Sequence, residues 1–290
     1  MAPDSPLSHI PQLPPGFAGW FRLRGWSPHE HQLAMLRAAE AGRNTLLIAP
    51  TGGGKTLAGF LPSLIDLAER PRPGLHTLYI SPLKALAVDI HRNVEVPIAE
   101  MRLSIRAESR TGDTPTAKRQ RQQKTPPQIL MTTPESLALM IASKEAEKLF
   151  GGLACIIVDE LHALTNNKRG ELLSLGLARL SKLAPTARRV GLSATVAWPD
   201  ALHAYLSPKA DPADPMVERV IGRQEKRATI DILETDTRLP WSGHYALHAM
   251  VEVYERLREV QTAILFVNTR AQAELIFQEL WRLNEDGLAI

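Results

Sequence analysis

The sequence predicts an α/β fold, a parallel sheet with helices on both faces. Three observations carry that expectation. Short apolar runs alternate with helix-length amphipathic stretches along most of the chain. The run at 153–158, Leu-Ala-Cys-Ile-Ile-Val, is uninterrupted, as in a central parallel strand buried on both faces. Glycines, hydroxyls and carboxylates follow directly after such runs, at the strand ends where open α/β sheets bind ligands.

The chain has 290 residues, enough for one large or two smaller domains. Hydrophobic residues make up 44% and charged ones 22%, the usage of soluble globular proteins. A net charge of +3 is too mild to declare nucleic-acid binding, so any basic surface must be local. The one cysteine, Cys155, sits in the apolar run and reads as a core thiol in a reducing compartment. Residues 1–16 hold Pro3, Pro6, Pro11, Pro14 and Pro15 and read as a flexible N-terminal arm rather than a signal peptide. No stretch approaches a membrane span, and cytoplasmic residence is the expectation.

Residues 17–26 bring Phe17, Trp20, Phe21 and Trp26 together in an aromatic patch. Ser27-Pro28 then predicts a helix start, with Ser27 as N-cap and Pro28 at the first position, running to about Ala41 and stopping at Gly42. Gln32 lies on it. Its amide can pair with adenine N6 and N7, or simply be solvated.

A short strand at 45–48 leads into residues 49–56, Ala-Pro-Thr-Gly-Gly-Gly-Lys-Thr, and then into a helix with Leu57, Phe60, Leu61, Leu64 and Ile65 on one face. Strand, glycine loop, Lys-Thr and helix is an arrangement that cradles nucleoside phosphates. Thr51, Gly52, Gly53 and Gly54 would supply the loop, Lys55 would reach the β/γ-phosphates, and the Thr56 hydroxyl would ligate Mg²⁺. The alternative is a plain glycine turn, and Ala49 stands where the general pattern starts with Gly. Pro62 should kink the following helix or lie at a local irregularity.

A strand at 77–80 ends at Ser81-Pro82-Leu83-Lys84-Ala85-Leu86, and a helix to about Asn93 follows. Another strand is expected at 103–108, before Thr111-Gly112-Asp113-Thr114. The polar helix with Lys118, Arg119, Arg121 and Lys124 reads as a solvated face. A strand at 128–132 runs into Thr133-Pro134-Glu135-Ser136-Leu137, with Thr133 as helix cap and Pro134 at the first position. The backbone N–H groups and hydroxyls at that opening suit a phosphate.

The apolar run at 153–158 delivers Asp159-Glu160-Leu161-His162. Two adjacent carboxylates after a buried strand are costly unless paired or holding a metal. Asp159 is the candidate Mg²⁺ carboxylate and Glu160 the candidate base for an attacking water; the alternative is a solvated acidic pair. Lys168-Arg169-Gly170-Glu171 opens a helix over 172–183, and a strand at 189–192 ends at Ser193-Ala194-Thr195. Further strands are expected at 217–221, 228–233 and 263–267. Helices are expected at 244–260 and 271–283, with a linker over 236–243.

In this order the motifs resemble superfamily 2 helicases, whose motor is two RecA-like domains; the resemblance runs from about Gly25 to Arg270. Gln32 resembles the adenine-reading Q motif, residues 49–56 motif I, residues 81–87 motif Ia and residues 132–137 motif Ib. Asp159 to His162 is a DExH form of motif II, Ser193 to Thr195 resembles motif III, and residues 266–270 motif IV. Ser-Pro-Leu-Lys-Ala-Leu, Val-Asp-Glu-Leu-His-Ala-Leu, Lys-Arg-Gly-Glu and Gly-Leu-Ser-Ala-Thr-Val carry a finer resemblance. It is to the large helicase-related (Lhr-type) DExH family and its bacterial branch associated with DNA ligase and DNA repair.

The resemblance implies a RecA-like ATP-binding domain over 17–235, then a linker and the cut-short start of a second RecA-like domain over 236–290. It implies ATP and Mg²⁺ as cofactors, with Lys55, Asp159, Glu160 and His162 catalytic. Ser193, Ala194 and Thr195 would couple the sites. It implies single-stranded or tailed duplex nucleic acid, DNA in the first instance, gripped at Ser81, Pro82, Lys84, Thr111, Gly112, Thr132, Thr133, Pro134, Glu135 and Ser136. Movement would be 3′-to-5′, and DNA repair proteins including a DNA ligase would be partners. No arginine occupies the context of motif VI, where the family carries its transition-state arginine. The chain therefore reads as part of a longer protein, in which turnover by this part alone is open.

Overall fold

In a computed structural model, residues 13–82, 91–165, 167–194, 198–209, 213–222, 229–235 and 246–289 are described. The chain falls into two units, Met1–Glu225 and Lys226–Ile290.

The first unit is framed by seven parallel strands: β1 (Asn44–Ile48), β2 (Thr77–Ile80), β3 (Ala107–Arg110), β4 (Ile129–Thr132), β5 (Cys155–Val158), β6 (Arg188–Ser193) and β7 (Val217–Ile221). Their order across the sheet is β3-β4-β2-β5-β6-β1-β7. Its helices are α1 (Pro15–Leu23), α2 (Glu30–Glu40), α3 (Lys55–Glu69), α4 (Val96–Glu100), α5 (Thr116–Lys124), α6 (Pro134–Ile141), α7 (Ala146–Phe150), α8 (Leu161–Leu164), α9 (Lys168–Leu183) and α10 (Pro199–Leu206). The two-residue alternation of a strand explains why both sheet faces are apolar. Leu47, Tyr79, Ile157 and Leu192 join one core with Phe17, Trp20, Met35, Phe60 and Leu64. Leu46, Leu78, Ile156 and Val158 join the other, with Leu137, Phe150, Leu173, Leu177 and Leu206. Burying each such side chain contributes about 1.5–3 kcal/mol, so the central strands are fixed from both sides.

Local chemistry moves several boundaries. The helix expected to start at Ser27-Pro28 starts at Glu30, with His29 as N-cap. The Gln32 Oε1 accepts from the His29 N–H at 2.9 Å, closing a reciprocal capping box that outweighs Pro28. The strand expected at 103–108 forms over Ala107–Arg110, where pairing with β4 is available. The helix α3 is continuous through Pro62, which is buried in it. Most of the helix expected after Ser81-Pro82-Leu83-Lys84-Ala85-Leu86 falls on residues 83–90, which with Lys84 lie outside the described part; a π-helix is seen at His91–Glu95.

In the second unit, α11 (Met250–Arg258) follows a 3₁₀ turn at Leu247–Ala249, and α12 (Arg270–Leu283) is capped by the Thr269 hydroxyl. Neither 229–233 nor 263–267 forms a strand, contrary to the sequence pattern. A strand needs a paired neighbour, and none stands beside these segments among the described residues; Ile230, Ile232 and Phe266 stay exposed. Met250, Tyr254, Ile276 and Leu280 form this unit's small core.

Arg189 ties the first unit together from within. It is buried, and its guanidinium donates to the carbonyls of Leu177 (3.1 Å), Tyr205 (3.2 Å) and Ser207 (3.3 Å) and to the Ser181 hydroxyl. Burial lowers its pKa. Arg189→Ala leaves those acceptors unmet and should cost about 3 kcal/mol, read by urea denaturation. A loss below about 1 kcal/mol would show the tie to be dispensable.

Candidate nucleotide and nucleic-acid site

The glycine loop adopts the conformation its residues permit. Gly52 and Gly54 have φ of 83° and 71°, the left-handed region. Gly54 is the N-cap of α3 and offers no side chain to the first-turn N–H groups, which remain available to an anion. Lys55 is buried, and its ammonium donates to the Pro50 carbonyl at 3.1 Å. Within reach is a cavity of about 710 Å³. It is lined by Thr51, Gly52, Gly54, Lys55 and Thr56 from the loop, Gln32 and His29 from the start of α2, and Asp159 and Glu160 after β5. Gly53 belongs to the loop but not to this lining.

Gln32 Nε2 lies so close to Gly54 that a Cβ there would stand 3.0 Å from it. With Oε1 engaged by His29, the amide is already oriented beside the loop. His31 stacks on His29 with ring centroids 5.2 Å apart. Burial first, and then His29, lowers its pKa and keeps it neutral near pH 7.

Asp159 and Glu160 differ in role by geometry. Asp159 is 4% exposed and receives the hydroxyl of Tyr79, itself fully buried on β2. Its other oxygen accepts the Glu160 N–H at 2.8 Å. Burial pushes the Asp159 carboxyl above the usual range, against the lowering effect of those two hydrogen bonds. Glu160 has φ of 46°, a left-handed conformation that costs a non-glycine residue about 1 kcal/mol or more. Its carboxylate lies 3.3 Å from His162 Nε2, and His162 Nδ1 is 3.0 Å from the Ser193 hydroxyl. The Ser193 carbonyl accepts from the Ala49 N–H at 3.1 Å, so β6 joins the acidic pair to the start of the loop. Ala194 follows, and Thr195 lies outside the described residues.

Among the described residues no three His, Cys, Asp or Glu gather into a self-contained metal site. Mg²⁺ needs none, since it is held by one or two carboxylates together with substrate phosphates. Asp159 and Thr56 both line the cavity and carry the hard oxygens that mode needs.

The other predicted residues gather at the ends of β2, β3 and β4. Ser81 follows β2, Thr111 and Gly112 follow β3, and Thr132 ends β4. Thr133 caps α6 through the Ser136 N–H, with Pro134 in its first turn, as the sequence predicts. Arg169 fastens two of these turns. Its guanidinium makes two bonds to the Glu135 carboxylate, the longer at 3.1 Å, and a third to the Pro82 carbonyl at 2.6 Å. The segment holding Arg169 is closely packed: a Cβ on Gly170 would stand 1.7 Å from the Leu164 carbonyl oxygen.

Three site-forming groups escaped the sequence reading. Tyr79 looks like any strand aromatic, and Arg169 like a charge at a helix start. The aromatic patch was visible, but not that Phe21 and Trp26 line the cavity. Trp26 is held edge-on to Trp20 at 5.7 Å, with the Arg24 guanidinium 5.4 Å from its ring centroid.

Residues 29–202 match the DEAD/DEAH box helicase family. The chain belongs to that family. It is 37% identical to the Lhr helicase/probable uracil glycosylase of Mycolicibacterium smegmatis, covering 92% of this chain and 18% of that protein. It is 34% identical to the ATP-dependent helicase Lhr-Core of Methanothermobacter thermautotrophicus, covering 92% and 33% respectively. Among solved structures, it is similar to Mycobacterium smegmatis Lhr bound to ssDNA and AMP-PNP, with a TM-score of 0.76, 35% identity, and coverage of 94% and 36%. The chain thus spans a third or less of the length of these curated relatives. The expected Lhr-type resemblance and RecA-like sheet both stand.

Arg169 beside Glu135 holds that carboxyl at a pKa of about 2, below its ordinary 4.5. A depressed carboxyl adds stability that is present above 4.5 and lost as pH falls toward 2. Glu135 is half exposed, so screening limits the effect to about 1 kcal/mol or less. Glu135→Gln should flatten the stability–pH curve in that window, measured by urea denaturation; an unchanged slope would exclude the pair as its source.

Proposed function

We propose that this chain is the nucleotide-binding part of an ATP-driven motor that moves along single-stranded nucleic acid. The observation that carries this reading is the joint lining of one cavity by the glycine loop, Gln32 and the Asp159–Glu160 pair. ATP would lie with its phosphates on the α3 N-terminus and its base toward Gln32 and Trp26. Bound Mg²⁺, held by Thr56 and Asp159, would neutralise phosphate charge. Lys55 would exchange the Pro50 carbonyl for a phosphate oxygen, and Glu160 would orient and deprotonate water. His162 and Ser193 would carry the state of that site along β6.

Nucleic acid would cross the ends of β2, β4 and β3, held through phosphates and therefore without sequence preference. The solved relative bound to ssDNA supports DNA as the strand. Movement in the 3′-to-5′ direction, a role in DNA repair and a DNA ligase among the partners complete the proposal. They rest on the Lhr-type motifs. A cytoplasmic setting fits a chain in which no described helix is long and apolar enough to cross a membrane.

Glu160→Gln should abolish single-strand-stimulated ATP hydrolysis while sparing ATP binding. Retained turnover would overturn the assignment. Absence of stimulated turnover in the unaltered chain, with ATP and single strand both bound, would favour a binding module over a motor. Tyr79→Phe removes the hydroxyl that holds Asp159. It should raise the Mg²⁺ concentration for half-maximal binding of a fluorescent ATP analogue about tenfold; no shift would make Tyr79 a packing residue only.

A further inference from the structure

We propose that His31 positions the phosphate loop from behind, through Gly53, and takes up one proton when a nucleoside triphosphate settles on the loop. The inference rests on the nucleotide reading above and adds to it a positioning residue and a proton.

The His31 ring lies between the start of α2 and the far side of the loop. It is 7% exposed and stacks on His29 with the two planes 8° apart. The end of β7 meets it as bare backbone. A Cβ on Gly222 would stand 3.4 Å from His31 Nδ1 and 2.5 Å from the Ala49 Cβ. The Gly222 N–H donates to the Ile48 carbonyl at 2.8 Å, which ties this backbone to the strand that enters the loop. The ring therefore has little room to move.

On the loop its partner is Gly53. Gly52 and Gly54 take the left-handed conformation, and Gly53 does not. The Gly53 N–H donates to the Pro50 carbonyl at 3.1 Å, the same oxygen that accepts the Lys55 ammonium. Gly53 is thus the inner corner on which the loop closes. Its backbone hydrogen-bonds the His31 ring in the sense that favours the protonated form, as a carbonyl acceptor does.

The groups around the ring decide its proton. Burial first, then His29 from the same turn of α2, and more weakly Lys55 from the first turn of α3, disfavour a positive ring. Gly53 acts the other way, and Gly222 carries no charge. His31 Nε2 is shut off from water without a hydrogen-bond partner, which leaves it as the place for an added proton. A triphosphate reverses the balance. It brings several negative charges to Gly52–Lys55 and draws the Lys55 ammonium onto phosphate oxygen. Charges this far from solvent interact several times more strongly than in water, so no direct contact with the ring is needed. The proton comes from solvent. The ring titrates below its ordinary 6.5 in the free chain and higher with nucleotide bound. Affinity for nucleotide therefore rises as pH falls through the bound-state value, and levels off once the free chain is protonated too.

The test is binding of a fluorescent ATP analogue with Mg²⁺ to the 290-residue chain, from about pH 8 to about pH 5.5, the range in which a histidine titrates. Calorimetry in two buffers of different ionisation enthalpy counts the protons. Over that range the unaltered chain should gain affinity about fivefold relative to His31→Gln, and at the steepest point it should take up about half a proton more. The titration of the nucleotide itself is common to both and cancels. At about pH 8, where the ring is neutral, His31→Ala should weaken binding about fivefold. His31→Gln, which keeps a donor toward Gly53, should restore most of that loss. Melting curves check that each variant folds; if His31→Ala does not, the pH profile of His31→Gln decides alone. Matching profiles and proton counts in the unaltered chain and His31→Gln would overturn the inference, as would wild-type affinity in a folded His31→Ala. If the unaltered chain binds no nucleotide at any pH, the nucleotide reading falls, and this inference with it.

Discussion

The site depends on the position of β6 between β1 and β5. In-register parallel pairing puts Ser193 beside Ile48 on one side and Gly191 beside Val158 on the other. The Ser193 carbonyl then takes the Ala49 N–H, and its hydroxyl meets His162. Three short contacts thus link the acidic pair to the loop: Glu160 to His162, His162 to Ser193, and Ser193 to Ala49. Both faces of these strands are packed, so their register cannot slip. The strand ends are therefore fixed points, and what can move is attached to them.

Several groups are held in arrangements that a ligand would improve. The α3 N-terminus has no side-chain cap, the Lys55 ammonium donates to a carbonyl of its own loop, and Glu160 is in a left-handed conformation. Each raises the energy of the fold slightly, by an amount the surrounding cores easily sustain. A phosphate group would cap the helix and give Lys55 a charged partner, so binding energy is gained where the fold has left it unspent.

What the sequence disclosed follows contact distance along the chain. The glycine loop, the capped start of α6 and the buried β5 are local patterns, and each lies where its residues predict. The α2 cap was misplaced by two residues because Ser27-Pro28 is the commoner signal, while the bond from Gln32 back to His29 is specific to this turn. Tyr79 and Asp159 are 80 residues apart, and Arg169 is 87 from Pro82. Such pairs become visible only when the sheet order is known. The run at 263–267 failed for the converse reason: its pattern is that of a strand, but strand formation requires a neighbour.

Glu135 poses an electrostatic problem that Arg169 resolves. A carboxylate in the first turn of α6 is favourable for the helix dipole but repels any phosphate approaching the same N-terminus. Arg169 covers that charge with a bidentate contact and, through its third bond, fixes the Pro82 carbonyl. The helix keeps its acidic first turn while the local field becomes close to neutral. Among the described residues, positive charge without an acidic partner lies one strand further out, at Arg110 and Arg119, where Glu108 is already occupied by other partners. Charge in a chain whose net value is only +3 is thus arranged locally rather than spread over the surface.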